Sequence, residues 1–228
     1  MNPLLAAIAL AVVAGTVVAV ASRDARVAIL GAAVALIGTP VLADPLPAPL
    51  GLAGRFVGAI LAAYLLWIVA RDRGRGRAPS AATGGSRIGW PAETLVAASA
   101  FVVGLAAHGL GAPAMGTSLA SATGFAVAAL AVPAAMTGAD VLRVGIGSLL
   151  LLDAALLVRT GLGGTPDQLE QLITTGAIVV VAGALATLAG SARDDGTGGF
   201  GFSLEGRRRR RREADAHRIE PRIGDLSR

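Results

Sequence analysis

The chain turns apolar again and again, each time for about the thickness of a lipid bilayer. Seven runs, roughly 3–22, 27–43, 50–70, 92–111, 114–136, 141–158 and 169–190, consist mainly of Ala, Val, Leu, Ile and Gly. About 20 such residues in a helix cross the hydrocarbon layer, and only a helix or a closed barrel satisfies its backbone there. Just 15% of the residues are charged, against about 25% in a soluble domain, so a water-facing surface cannot be covered. The expected fold is all-α: a polytopic integral membrane helix bundle of about seven transmembrane helices.

Charge placement orients this bundle. All 20 basic residues are arginine. With the N-terminus outside and every run crossing, the inner segments are 23–26, 71–91, 137–143 and 191–228. They hold every arginine except Arg55 and Arg159. Cytoplasmic segments are enriched in basic residues because such segments resist translocation, so the expected topology is N-out/C-in. Tyr64, Trp67 and Trp90 fall at the same inner interface, where amphipathic rings settle. The first run ends in "AVAS", similar to a signal-peptidase site, but residues 1–10 lack the basic residue of a signal peptide, and it reads as a retained helix.

The expected organisation is a three-helix membrane segment at 1–70, a cytoplasmic Arg/Gly/Ser linker at 71–91, a four-helix segment at 92–190 and a basic tail at 191–228. The tail is too polar to bury a core and reads as disordered. Its run Arg207, Arg208, Arg209, Arg210, Arg211 and Arg212 would draw about 1 kcal/mol per residue from anionic lipid at the cytoplasmic face; a plain topology anchor is the other reading. Topology accounts for the arginine clusters, so they do not imply a nucleic-acid partner. The arginine-only basic set, with abundant Ala, Gly and Val, suggests a GC-rich bacterial genome and hence the bacterial cytoplasmic membrane.

The absence of cysteine excludes disulfides, thiolate metal sites and thiol nucleophiles. No phosphate-binding loop, catalytic triad, paired carboxylates or metal-ligand cluster is legible, so neither a self-contained enzyme nor a cofactor is expected. The chemistry rests on few residues. Asp153 interrupts "DVLRVGIGSLLLLDAALLVR", residues 140–159, ten residues past Arg143 and so about 15 Å into the helix. An ionisable group at that depth is a functional candidate by default: either a proton relay or a polar contact between helices. Arg159 lies six residues on, about 240° around the helix, and cannot pair with it there. Arg55, in "LGLAGRFVGAIL", either snorkels to the outer interface or pairs with Asp153 across helices. His108, near the outer end of the fourth run, has no second ligand and is a candidate for proton handling only. Glu93 and Glu170 read as helix-start residues favoured by the macrodipole. Gly54, Gly58, Gly104, Gly145, Gly147, Gly176 and Gly183 are expected to allow close helix packing.

The quoted stretch resembles the central helix of the K-type membrane subunit of NADH-quinone oxidoreductase and of membrane component E of group 4 hydrogenases. That helix reads Arg, three apolar residues, Gly, one apolar residue, Glu, Leu, any residue, Leu, Asn, Ala. Here Arg143, Gly147, Leu150, Leu152 and Ala154 stand on the matching positions. Asp153 takes the Asn position and Leu149 the Glu position. The seventh run is similar to the family's third helix through Gly183, with Val179 where a second Glu belongs. The first three runs resemble the J-type neighbour subunit through "SRDAR". The resemblance implies an accessory membrane subunit beside large antiporter-like subunits in a complex I-like, hydrogenase-like or Mrp antiporter-like assembly. The family's two membrane carboxylates are absent, so it implies a scaffold role or a proton relay reduced to Asp153. Two other readings stand beside it: a stand-alone small transporter, and a non-catalytic membrane organiser whose arginine tail binds lipid.

Overall fold

The computed structural model describes residues 2–73, 89–108, 114–137 and 141–194. The linker and the basic tail, with Arg207 to Arg212, fall largely or wholly outside them. The described residues form seven helices, α1 (Pro3–Ala21), α2 (Ala25–Gly38), α3 (Pro49–Arg73), α4 (Trp90–Ala107), α5 (Ser118–Thr137), α6 (Val141–Gly163) and α7 (Gln168–Asp194). All seven, α2 together with the turn that follows it, are long and apolar enough to cross a membrane. Large apolar side chains such as Leu10, Ile60, Val102, Ile173 and Val180 stand exposed on the outside of the bundle. A surface of that kind suits lipid and not water.

Local chemistry sets the helix ends. Asn2 accepts the Leu4 N–H at 3.0 Å and Pro3 follows as the first helical residue, where its missing N–H costs nothing. Asp24 accepts the Arg26 N–H at 2.9 Å to start α2. At the far end of α2, Pro40 has no N–H to continue the ladder, and the chain tightens into a 3-10 turn over Thr39–Leu42. Asp167 starts α7 by accepting the Glu170 N–H at 2.7 Å. Hydroxyls inside the helices are satisfied locally: Thr16 donates to Val12 O at 2.9 Å and Thr123 to Leu119 O at 2.7 Å, which suits an apolar surrounding.

Packing follows the small residues. The most intimate pair is α5 with α6, antiparallel, and then α1 with α2, α4 with α5 and α3 with α7. A Cβ on Gly147 would lie 2.5 Å from the Ala135 nitrogen, and one on Gly31 would lie 2.7 Å from the Ala19 nitrogen. Only glycine permits that approach. On α3, Gly51, Gly54 and Gly58 face Gln171, Leu172 and Thr175 in the same order along the chain, so α3 and α7 run parallel as a pair. The sequence expectation fails at Gly176 and Gly183, which have nothing within 4 Å of a built Cβ. Helix α7 meets α3 through its first turns and α6 through Leu185, whose Cδ1 lies 2.8 Å from a Cβ built on Gly145.

The bundle thus has a centre, α2, α5 and α6, with α4 on the α5 side and the α3–α7 pair on the α2–α6 side. Arg23, Arg26, Arg71 and Arg143 sit at one end, where helices α1, α3 and α5 finish and α2, α4 and α6 begin. The Arg26 guanidinium lies over the Trp67 ring there, 5.9 Å from its centroid, a favourable cation–π contact. The end lettered in sequence by Asp44, Met115 and Asp167 is the opposite one.

Candidate functional site

Asp153 lies near the middle of the 23-residue α6 and is fully buried. Three helices meet at its carboxylate. Arg55, in the second turn of α3, donates from Nη2 to Oδ1 at 3.0 Å. Thr39, where α2 gives way to the 3-10 turn, meets Oδ2 through its hydroxyl. Of the two routes open to Arg55, the side chain takes the one across helices, and it is only 7% exposed. The break at Pro40 matters here, because it ends α2 with Thr39 facing α6.

The hydroxyl of Thr39 has two acceptors and one hydrogen. Besides Asp153 Oδ2 it lies 2.8 Å from Ala35 O. Two arrangements place every hydrogen. With Asp153 ionised, Thr39 donates to Oδ2 and Arg55 to Oδ1. With Asp153 protonated, the carboxyl O–H donates to Thr39 Oγ1, and the Thr39 O–H turns to Ala35 O. Both states are hydrogen-bonded without moving a heavy atom, so neither leaves the carboxyl or the Thr39 hydroxyl unpaired in the interior.

A half-enclosed chamber of about 30 Å³ adjoins the cluster on the opposite-end side, lined by Thr39, Arg55, Thr160, Gln171, Thr174 and neighbouring prolines and alanine. That is room for one or two water-sized ligands. Arg55 Nη1 and Gln171 Oε1, atoms of two residues that line it, are buried without a hydrogen-bond partner, and Oε1 packs against Gly51. The Gln171 amide is held by its other end, Nε2 donating to Pro166 O at 3.1 Å. Thr174 turns its hydroxyl to Glu170 O at 2.7 Å.

The remaining sequence candidates fall elsewhere. His108 caps α4 and its Nδ1 lies 3.2 Å from Ser121 Oγ of α5; it is not brought to Asp153. Arg159 bridges to Glu170 of α7 and donates from Nη1 to Gly164 O at 3.0 Å. Glu93 does stand in the first turn of α4, but it is also buried, with both carboxylate oxygens unpartnered and close enough to Arg143 for their charges to interact. Arg143 itself donates from Nη2 to Val20 O at 3.0 Å, joining α6 to α1. Thr39, Gln171 and Thr174 had no role in the sequence reading. The Thr-Pro pair at a span end was the available signal for the first; Gln171 and Thr174, one helical turn beyond Asp167 and Glu170, carried none. Among the described residues no three His, Asp or Glu side chains converge as metal ligands would.

Comparison with known proteins adds no relative. No family model matches the chain, and neither the curated proteins nor the solved structures searched contain a match.

Proposed function

We propose that this chain is a multi-pass protein of the bacterial cytoplasmic membrane, N-terminus outside and C-terminus inside, and an accessory subunit of a proton- or ion-translocating assembly. Its contribution is one proton-exchanging carboxylate, Asp153. The observation that carries this reading is the Thr39 hydroxyl with two acceptors, which leaves Asp153 fully bonded whether charged or protonated. The half-enclosed chamber supplies the polar route by which a proton would reach it from the outer side.

The orientation is supported by charge. The two arginines that it leaves on the outer side, Arg55 and Arg159, each have a carboxylate partner, Asp153 and Glu170. Their positive charge is therefore cancelled within the bundle, in keeping with the bias against uncompensated cations on the translocated side. The subunit reading leans on the resemblance of 140–159 to the K-type and component E helices, with large antiporter-like subunits as the expected partners. Anionic lipid facing Arg207 to Arg212 belongs to the same proposal.

A second reading has an observation of its own. Helix α3 packs mainly on α7 and α2, so the Arg55–Asp153 pair is its chief polar tie to α6, and a clasp between helices would look the same. Asp153→Asn separates the two. It keeps the size and a hydrogen-bonding oxygen but cannot carry the proton. Coupled proton movement in native membrane vesicles should be lost while the protein still accumulates and assembles. Proton movement at the wild-type rate in that variant would leave only the clasp. Affinity purification from native membranes in mild detergent tests the partners: recovery of the chain alone would remove the subunit reading.

A further inference from the structure

We infer that the chamber beside Arg55 is a binding site for a small, halide-sized anion, taken up together with the proton on Asp153. The inference rests on the proton-exchange reading and names what must accompany it. When Asp153 is ionised, the guanidinium has its counter-charge 3.0 Å away. When Asp153 is protonated, the same guanidinium keeps its charge, because a guanidinium does not release its proton in a protein. It then stands 93% buried with no negative partner, which is a strongly unfavourable state.

The structure holds a position for the missing charge. Arg55 Nη1 is buried, has no acceptor and lines the chamber. Around it stand Thr160, Thr174 and Gln171; the Thr174 hydroxyl is given to Glu170 O and the Gln171 amide N–H to Pro166 O, so Arg55 Nη1 is the donor that an anion would meet. The half-open chamber has room for about one or two water-sized species, a size that suits a monatomic halide. None of the residues that line the chamber is acidic. Helix α5 has no titratable residue, α2 has only Arg26 in its first turn, Glu170 of α7 is engaged by Arg159, and Asp44 and Asp167 stand in the flanking loops. The balance is simple. One proton bonds to Asp153 Oδ2, one anion accepts from Arg55 Nη1, and the pair enters without net charge.

The test uses the purified full chain in detergent, with chloride as the probe and gluconate, too large for the chamber, as the inert anion. Chloride binding is read by calorimetry, and the protonated carboxyl of Asp153 by its infrared C=O band, assigned by its loss in Asp153→Asn. Proton and anion should each strengthen the other's binding by the same factor, roughly 5- to 150-fold. Asp153→Asn, fixed in the neutral form, should bind chloride tightly at every pH. Thr174→Leu, which narrows the chamber and does not touch the ion pair, should weaken chloride binding while the carboxyl band still titrates. A titrating carboxyl band that chloride does not move, with no heat of chloride binding, overturns the anion site and leaves the proton-exchange reading standing. Chloride binding with no titrating carboxyl overturns both the coupling and the proton reading.

Discussion

Replacing Asp153 with leucine leaves a guanidinium in the interior with nothing to neutralise it. Breaking a buried ion pair from one side costs about 3–5 kcal/mol, because the surviving charge keeps its desolvation penalty. Arg55 opens on a half-enclosed chamber, so the lower part of that range applies. The opposite truncation, Arg55→Met, should be milder. The abandoned carboxyl takes a proton and donates it to Thr39, whose hydroxyl turns to Ala35 O. What is lost is then one charged hydrogen bond, about 1.5–3 kcal/mol. The double variant removes both groups and should fall near the wild type, since apolar replacements of a buried pair are often neutral. The ranking to be measured is therefore Asp153→Leu least stable, Arg55→Met intermediate, and the double variant most stable of the three. Thermal unfolding of each in the same detergent reads it, and the cycle should give a coupling of about 4–6 kcal/mol, the sum of the two single losses when the double variant matches the wild type. If Arg55→Met were as damaging as Asp153→Leu, the carboxyl would have no proton to take, and the two-state hydrogen-bond argument would fall. Additive single variants would show that the pair contributes nothing as a pair.

Other consequences are as direct. Gly147→Val should lower stability by about 1–3 kcal/mol, because its Cβ meets the backbone of Ala135, whereas Gly183→Ala should be neutral or gain about 0.5–1 kcal/mol, having open space; unfolding in detergent compares them, and equal effects would refute the assigned packing of α5 on α6. Arg159→Gln should change stability by less than about 1 kcal/mol, since a half-exposed pair is screened; the same unfolding assay reads it. The chain has no cysteine, so single cysteines report its orientation: Met115→Cys should react with an impermeant maleimide in intact cells, and Ser22→Cys only after lysis, the reverse pattern inverting the topology.

The helices were legible because hydropathy over a bilayer length is a property of each segment alone. The seven expected runs and the seven helices coincide in the main, and the differences have local causes. The sixth run was expected to stop before Arg159, a charge, but Glu170 neutralises it and α6 continues to Gly163. The fifth was expected from residue 114, but α5 begins at Ser118, where the Thr117 hydroxyl accepts the Ala120 N–H at 3.2 Å. Packing was less legible. Gly147 and Gly183 are alike in sequence, and only a neighbouring helix distinguishes them. The site was half legible. Asp153 stood out by its depth and Arg55 by its sign, but their partners lie far off in the chain. Glu93 read as a helix start, which it is, but nothing local shows that its side chain is buried between exposed Trp90 and Leu95.

The distance between partners also sets a schedule. Arg55 and Asp153 are 98 residues apart in the chain, and ribosomes add about 5–20 residues per second, so roughly 5–20 seconds separate their syntheses. Through that interval α3 carries a guanidinium whose counter-charge does not yet exist. On insertion scales an arginine at the helix centre costs about 2.5–3.5 kcal/mol and less toward the ends. Arg55, in the second turn, meets part of that cost, which the apolar remainder of α3, mean hydropathy 1.7 over its spanning window, must offset unaided. Helix α3 thus lacks its polar partner when first made, and the arrival of α6 supplies it to a helix inserted three spans earlier. A nascent chain arrested before residue 153 should leave α3 free to slip back out.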